Sequence, residues 1–181
     1  MKMFMKNFNF KKLLPHFIAV AIFLIVSVIY CKPALEGKVV LQHDIQGWRG
    51  MSQQSVEFKE KYGYYPLWTN SMFSGMPAYQ VALDSRTKLQ VGYLDNVLTL
   101  GLPNAIRFFF LACICFFFFC LVAGANPWVS IMGAIAYAYS TFDPIIVAVG
   151  HNTQMLSIGY MPAVLAGLLL LSLKLYLNPL A

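Results

Sequence analysis

The chain has 181 residues, of which 59% are hydrophobic and 11% are charged, and its formal net charge at pH 7 is +6. A typical soluble domain carries about 25% charged residues, so this composition excludes an ordinary soluble protein and indicates that lipid is the solvent for much of the chain. The positive charges are dispersed, apart from four lysines among residues 1–12. Anionic lipid is a sufficient partner for such a basic tail, and we expect no binding of nucleic acid.

Four apolar stretches each come close to the roughly 20 residues that a helix needs to cross a hydrocarbon core about 30 Å thick. None of them alternates like a barrel strand, and only helices or closed barrels satisfy their backbone in lipid. The sequence therefore predicts an all-α polytopic membrane protein with about four transmembrane helices. The predicted spans are residues 13–31, 106–123, 128–149 and 155–177.

The basic tail also predicts the orientation of the chain. Residues 1–12 contain four lysines and no acid, so the positive-inside rule places the amino terminus in the cytoplasm. The large first loop, residues 32–104, is then extracytoplasmic, and residues 105–181 hold transmembrane helices two to four. A cleaved signal peptide is the alternative for the first span. Because Tyr30 directly precedes Cys31 and no small-x-small site is present, we predict an uncleaved anchor.

The loop combines short helices with turn-rich segments. Glu57 and Lys61 stand four residues apart in the favourable order and predict a short solvated helix over residues 52–62. Residues 66–80 contain Pro, Asn, Ser and Gly and predict an ordered loop without regular structure. Residues 81–103 predict an amphipathic element that lies on the membrane.

Chemically active side chains collect at one membrane face. Asp143 and Pro144 interrupt the third span, and Pro144 disfavours helical geometry at Asp143 itself. A carboxylate within the membrane is costly, so Asp143 is a functional candidate. At 1.5 Å per helical residue it lies roughly 10 Å below the outer turn that begins at Gly150. The side chains that this topology brings to the extracytoplasmic face are His43, Asp44, Trp48, Arg49, Asp143 and His151.

Those residue types suit transfer of a sugar from a lipid-linked phosphosugar donor. A carboxylate can act as a general base toward an acceptor hydroxyl, or hold a divalent cation beside a leaving phosphate. Arg49 and Arg86 can grip phosphate oxygens, with help from His43 or His151, and Trp48 and Trp68 can stack on the apolar faces of sugars. The cysteines lack the paired spacing of a zinc site, so none is assigned.

Three motifs in this order resemble the amino-terminal portion of the YfhO-like membrane proteins: KVVLQHDIQGWRGM, PLWTNSMFSGMPAYQ and GHNTQMLSIGYMPAVLAG. That family resembles the type C glycosyltransferases, which use lipid-linked sugar donors and place a catalytic acid soon after the first span. The resemblance implies that Asp44 is this acid, that a cell-envelope polymer is the acceptor and that the protein lies in a bacterial cytoplasmic membrane. Its members are several times longer, so it also implies an amino-terminal fragment. Many type C enzymes carry paired acids, whereas Asp44 has no acidic neighbour, and metal use stays open.

Simpler roles are available for the same residues. Asp44 can be a solvated turn residue, Asp143 can cap freed backbone amides, and interfacial tryptophans commonly anchor a loop to the membrane. A second hypothesis is a non-enzymatic transporter or scaffold for lipid-linked envelope intermediates, because transporters line their pathways with broken helices. We expect substitution of Asp143 to block a transporter, and substitution of Asp44 to block a glycosyltransferase.

Overall fold

The computed structural model describes residues 10–82 and 91–177. Arg86, most of the basic tail and the first part of the predicted amphipathic element lie outside the described residues. Three described helices are long and apolar enough to cross a membrane: α1 (Phe10–Tyr30), α5 (Asn104–Val122) and α8 (Asn152–Leu177). Two shorter helices, α6 (Pro127–Ala138) and α7 (Phe142–Val149), meet at a bend of 43° and pass the same test as a pair. The prediction of a mostly helical chain with helices apolar enough to span a membrane is confirmed, and the about four predicted spans compare with three, or four if the bent pair is one span.

Helix α5 forms the centre of the helix bundle and packs against α1, α6 and α8. Its consecutive residues Phe108, Phe109 and Phe110 are all buried. The phenylalanine-rich run therefore serves mainly to pack helices together. Phe109 stacks on Tyr139 with ring centroids 4.9 Å apart and planes inclined by only 9°. Phe116 stacks in a similar way on Tyr137, which lies in α6.

The neighbouring helices pack against α5 through small or regularly spaced buried residues. On α1 the fully buried residues are Ala19, Phe23 and Ser27, which are four residues apart and so share one side of the helix. On α8, Gly159 lets the backbone approach α5 closely, since an added Cβ there would lie 3.2 Å from Leu111 Cδ2. Small residues allow such close packing where lipid supplies no hydrophobic force between helices.

The break between α6 and α7 falls earlier than predicted. We expected Pro144 to keep Asp143 out of helical geometry, but α7 begins at Phe142 and contains both residues. The prediction fails because Pro144 stands in the first turn of α7, where its missing N–H has no partner within the helix in any case. The chain instead leaves helical structure at residues 139–141. Asp143 is 3% exposed.

Residues 31–103 begin where α1 ends and finish where α5 starts, so both ends of this segment lie at the same membrane face, here called the loop face. A one-turn helix, α2 (Lys32–Leu35), follows α1 directly. The long helix of the segment is α3 (His43–Tyr62), which ends at Gly63 in the left-handed conformation. The predicted helix over residues 52–62 is present, but its predicted start is nine residues too late.

The rest of the loop segment is short and irregular. Strands β1 (Trp68–Thr69) and β2 (Met76–Pro77) pair in antiparallel fashion, with Trp68 opposite Pro77, and a 3₁₀ turn follows over Ala78–Gln80. Residues 66–80, predicted to have no regular structure, thus contain a minimal hairpin. Helix α4 (Val91–Leu98) then leads to α5.

Candidate functional site

The first turn of α3 is fastened to the turn between α7 and α8. At the end of α7, the backbone N–H groups of Gly150 and His151 both bond to the carbonyl of Ile146. This arrangement leaves the carbonyl of Val147 available. The Gln42 side chain, 105 residues away in sequence, donates to that oxygen at 2.7 Å. An orphan carbonyl at a helix end is thereby satisfied by the residue that precedes α3.

The same glutamine pairs with Asn152 at the start of α8. Gln42 Nε2 donates to Asn152 Oδ1 at 3.0 Å, and Asn152 Nδ2 donates back to Gln42 Oε1 at 3.4 Å. Each amide supplies one donor and one acceptor, so the pair is reciprocal. We call the set Gln42, Asp44, Gly150, His151 and Asn152 the interlock.

Gly150 is required in the interlock for two physical reasons. Its φ is +111°, which residues with a side chain rarely adopt. In addition, an added Cβ would lie 3.0 Å from both Gln42 Cβ and Ile45 Cγ1. The close approach of α3 to this turn therefore depends on the absence of a side chain at residue 150.

Within the interlock, Asp44 and His151 form a hydrogen-bonded ion pair at the protein surface. His151 Nε2 lies 2.5 Å from Asp44 Oδ2, and Nδ1 lies 3.0 Å from Gln154 Oε1. Since both ring nitrogens face oxygen acceptors, the doubly protonated imidazolium fits this position best. The hydrogen bond to Gln154 and then the bond to Asp44 raise the pKa of His151 above its ordinary value. Both side chains remain about half exposed to solvent.

The helix dipole favours the charge of Asp44. Asp44 stands in the first turn of α3, where the partial positive charge of the helix end stabilises a carboxylate. His151 lies between the carboxyl end of α7 and the amino end of α8, so the two helix dipoles act on its charge in opposite directions. Its hydrogen bonds, rather than the helix ends, therefore stabilise the imidazolium.

A cavity of about 580 Å³ adjoins the interlock. Gln42, Val147 and Asn152 line part of it, together with Tyr30 of α1 and Phe109 of α5. Among the described residues that line it, Lys38 is the only charged one, and its ammonium group pairs with Glu36 at 2.8 Å. A largely apolar cavity with a few polar groups in its lining is typical of small-molecule sites.

The side chains of the other described site residues make no hydrogen bond to the Asp44–His151 pair, and some of them make hydrogen bonds that stabilise the loop segment. His43 is exposed on α3, next to Asp44. Trp48 Nε1 donates to the carbonyl of Val81 at 2.6 Å, which holds the following segment against α3. Arg49 is exposed and lines a shallow depression along α3 together with Glu57. Trp68 donates to Asn70 at 3.2 Å.

Asp143 lies at the opposite end of α7 from the interlock. Seven residues separate it from Gly150, which corresponds to roughly 10 Å along the helix. It is buried within the bundle, whereas Asp44 and His151 are at the surface. The structure thus brings Asp44 and His151 together and leaves Asp143 outside their reach.

Sequence reasoning missed Gln42 and Asn152. Each stands directly beside a predicted site residue, in the strings QHD and GHN, but a neutral amide carries no chemical signal of its own. Among the residues that the structure describes, no group of three or more His, Cys, Asp or Glu side chains is arranged to hold a metal ion. Metal use, which the sequence left open, is therefore assigned no ligands here.

No protein-family model matches the chain, and no curated protein or solved structure is significantly similar to it. The likeness to the YfhO-like proteins stays a prediction that depends on the three quoted motifs.

Proposed function

We propose that the protein transfers a sugar from a lipid-linked phosphosugar donor to a cell-envelope acceptor at the extracytoplasmic face of the membrane. The observation that carries the proposal is the pairing of Asp44 with His151 across 107 residues, beside a largely apolar cavity at the loop face. A polyprenyl chain suits the apolar part of this cavity, and the phosphosugar end then lies towards Gln42 and Asn152, which are close to Asp44 and His151 in the sequence. In this proposal the amino terminus is cytoplasmic.

Asp44 acts as the general base. Its carboxylate accepts the proton of the acceptor hydroxyl while the acceptor oxygen forms a bond to the anomeric carbon of the sugar. The bond between that carbon and the donor phosphate oxygen breaks, and the lipid phosphate leaves with the electron pair. The protonated His151 keeps Asp44 oriented and places a positive charge near the developing negative charge of the phosphate.

The test is a pair of matched substitutions in the protein expressed from its complete reading frame. Asp44→Asn removes the base but keeps the size of the side chain, and Glu57→Gln neutralises an exposed acid on the same helix, away from the interlock. Mass spectrometry of envelope polymers measures the sugar product at equal protein level. We expect loss of product in the first variant and unchanged product in the second. Full product from Asp44→Asn would refute the proposal.

A transporter or scaffold for lipid-linked intermediates is the second candidate. Burial of Asp143 in the first turn of α7, next to the bend between α6 and α7, supports it, because carboxylates buried within membranes commonly mark transport pathways. For this candidate we expect Asp143→Asn to stop movement of labelled lipid-linked sugar across vesicles and Asp44→Asn to leave it unchanged. Movement that Asp143→Asn leaves unchanged would refute the role of Asp143, and absence of movement with the parent protein would eliminate the transporter.

A further inference from the structure

A charge-free, aromatic segment projects from α3. Residues 62–83 contain no Asp, Glu, Lys, Arg or His. Within them lies the minimal hairpin, and residues 67–79 are here called the aromatic hairpin. Its large apolar side chains are unusually exposed: Leu67 by 91%, Phe73 by 83%, Tyr79 by 63% and Trp68 by 55%. Exposed apolar groups that cluster in this way mark an interaction surface.

The base of the aromatic hairpin is held on α3 by a connected set of polar contacts. Gln54 Oε1 accepts from Thr69 Oγ1 at 2.8 Å and from the backbone N–H of Asn70 at 3.1 Å. Ser71 Oγ donates to the carbonyl of Met51 at 2.9 Å. Thr69 is buried beneath this network. The position of the hairpin on α3 is therefore specified by hydrogen bonds, which leave Leu67, Phe73 and Tyr79 exposed.

The tip of the aromatic hairpin has an unfavourable backbone conformation. Phe73 and Ser74 have φ values of +50° and +60°, a region that an aromatic residue seldom occupies. Gly75 follows with φ +120°, and an added Cβ there would lie 2.6 Å from Trp68 Nε1. Trp68 thus packs over Gly75 in a turn that leaves the Phe73 side chain exposed. Such strain is typical of functional segments.

The chemistry of this surface favours lipid over a charged partner. A surface without charges offers no complement to an acidic or basic protein, whereas Trp and Tyr concentrate at the boundary between headgroups and acyl chains. The hairpin also belongs to a segment that joins two membrane spans at the same face, α1 and α5. Because the segment is joined to a membrane span at each end, a bilayer surface lies beside it.

We propose that the aromatic hairpin inserts into the headgroup region of the bilayer that holds the protein's own spans, with Phe73 deepest. Helix α3 is then attached at two points, by the interlock at its first turn and by the hairpin at Gln54. These points are about 15 Å apart along the helix at 1.5 Å per residue. Two attachments hold α3 along the membrane surface. This inference does not depend on the proposed sugar transfer.

Fluorescence quenching in lipid nanodiscs tests the inference with both membrane faces accessible. The full chain is prepared as Phe73→Trp, as Tyr79→Trp and as the control Glu57→Trp, and the emission of the parent chain is subtracted. Nanodiscs of brominated phosphatidylcholine report contact with lipid, and iodide in the buffer reports contact with water. Each substitution replaces an exposed side chain. Two hairpin positions are tested so that the result stands even if one of the two variants misfolds.

We expect brominated lipid to remove most of the added emission at positions 73 and 79, and iodide to leave it largely unchanged. At position 57 we expect the opposite. Iodide quenching at positions 73 and 79 equal to that at position 57, without quenching by brominated lipid, would overturn the inference. The hairpin would then face water and be open to a polysaccharide or a protein.

Discussion

The helix bundle and the loop segment are stabilised in different ways. In the bundle, apolar side chains pack in regular stripes around α5, and many small dispersion contacts add up. In the loop segment, the interlock and the base of the hairpin each depend on a few hydrogen bonds between residues far apart in sequence. We therefore expect substitutions in the bundle to lower the free energy of unfolding in proportion to the buried side chain that is removed. Substitutions in the loop segment should instead detach α3 or the hairpin locally.

The largest effect is expected in the bundle. Phe109→Ala removes a buried ring that stacks on Tyr139, and a loss of roughly 3 kcal/mol in the free energy of unfolding is the usual consequence. The control is Phe118→Ala on the same helix, where the ring is 42% exposed. Unfolding in mixed micelles with increasing SDS measures both. Equal losses in the two variants would contradict the packing shown here.

The next largest effect is expected in the interlock. Gly150→Ala forces a side chain into positive φ and against Gln42 and Ile45, so it costs roughly 1 kcal/mol or more. Gly167→Ala is the control, because an added Cβ there meets nothing within 4 Å. Hydrogen exchange should rise in the first turn of α3 in the first variant only. Unchanged protection in Gly150→Ala would show that α3 does not depend on this turn.

Removal of the glutamine contacts gives a smaller effect. Gln42→Ala leaves the Val147 carbonyl and the Asn152 amide without their partner and costs about 1 kcal/mol, without the backbone strain and crowding that Gly150→Ala adds. Gln46→Ala, one turn further along α3 at an exposed position, is the matched control. Hydrogen exchange at the start of α3 again supplies the readout. A loss no greater than that of the control would mean that the Gln42 contacts contribute nothing to docking.

The smallest effect is the pH dependence of the exposed ion pair. The pKa of His151 is raised in the folded protein, so its contribution is fully present below the unfolded pKa of about 6.5 and is lost as pH rises through the folded pKa. We expect the protection of the first turn of α3 to fall over that window. NMR titration of His151 should show a lower pKa in Gln154→Ala and in Asp44→Asn. A pKa that is the same in both variants as in the parent would contradict the pairing.

Local signals predicted the parts of the fold that depend on composition. Apolar length alone identified the spans to within a few residues, and Glu57 with Lys61 identified the later part of α3. The first part of α3 was missed because Gly47 and Gly50 each disfavour a helix by about 1 kcal/mol. Docking of Gln42 onto the turn after α7 supports the helix there, and that contact joins residues 105 apart.

The candidate site, too, was predicted from the sequence only in part. Topology predicted that Asp44 and His151 share a membrane face, because each crossing reverses the direction of the chain. The separation of Asp143 from the turn follows from the rise of a helix and was predicted, whereas the contact of Asp44 with His151 at 2.5 Å required the turn at the left-handed Gly150. The sequence by itself determined which segments enter the lipid, since burial in lipid depends on hydropathy summed along the chain. The tertiary structure alone decided which polar groups meet, since hydrogen bonds depend on distance and direction between residues that the sequence places far apart.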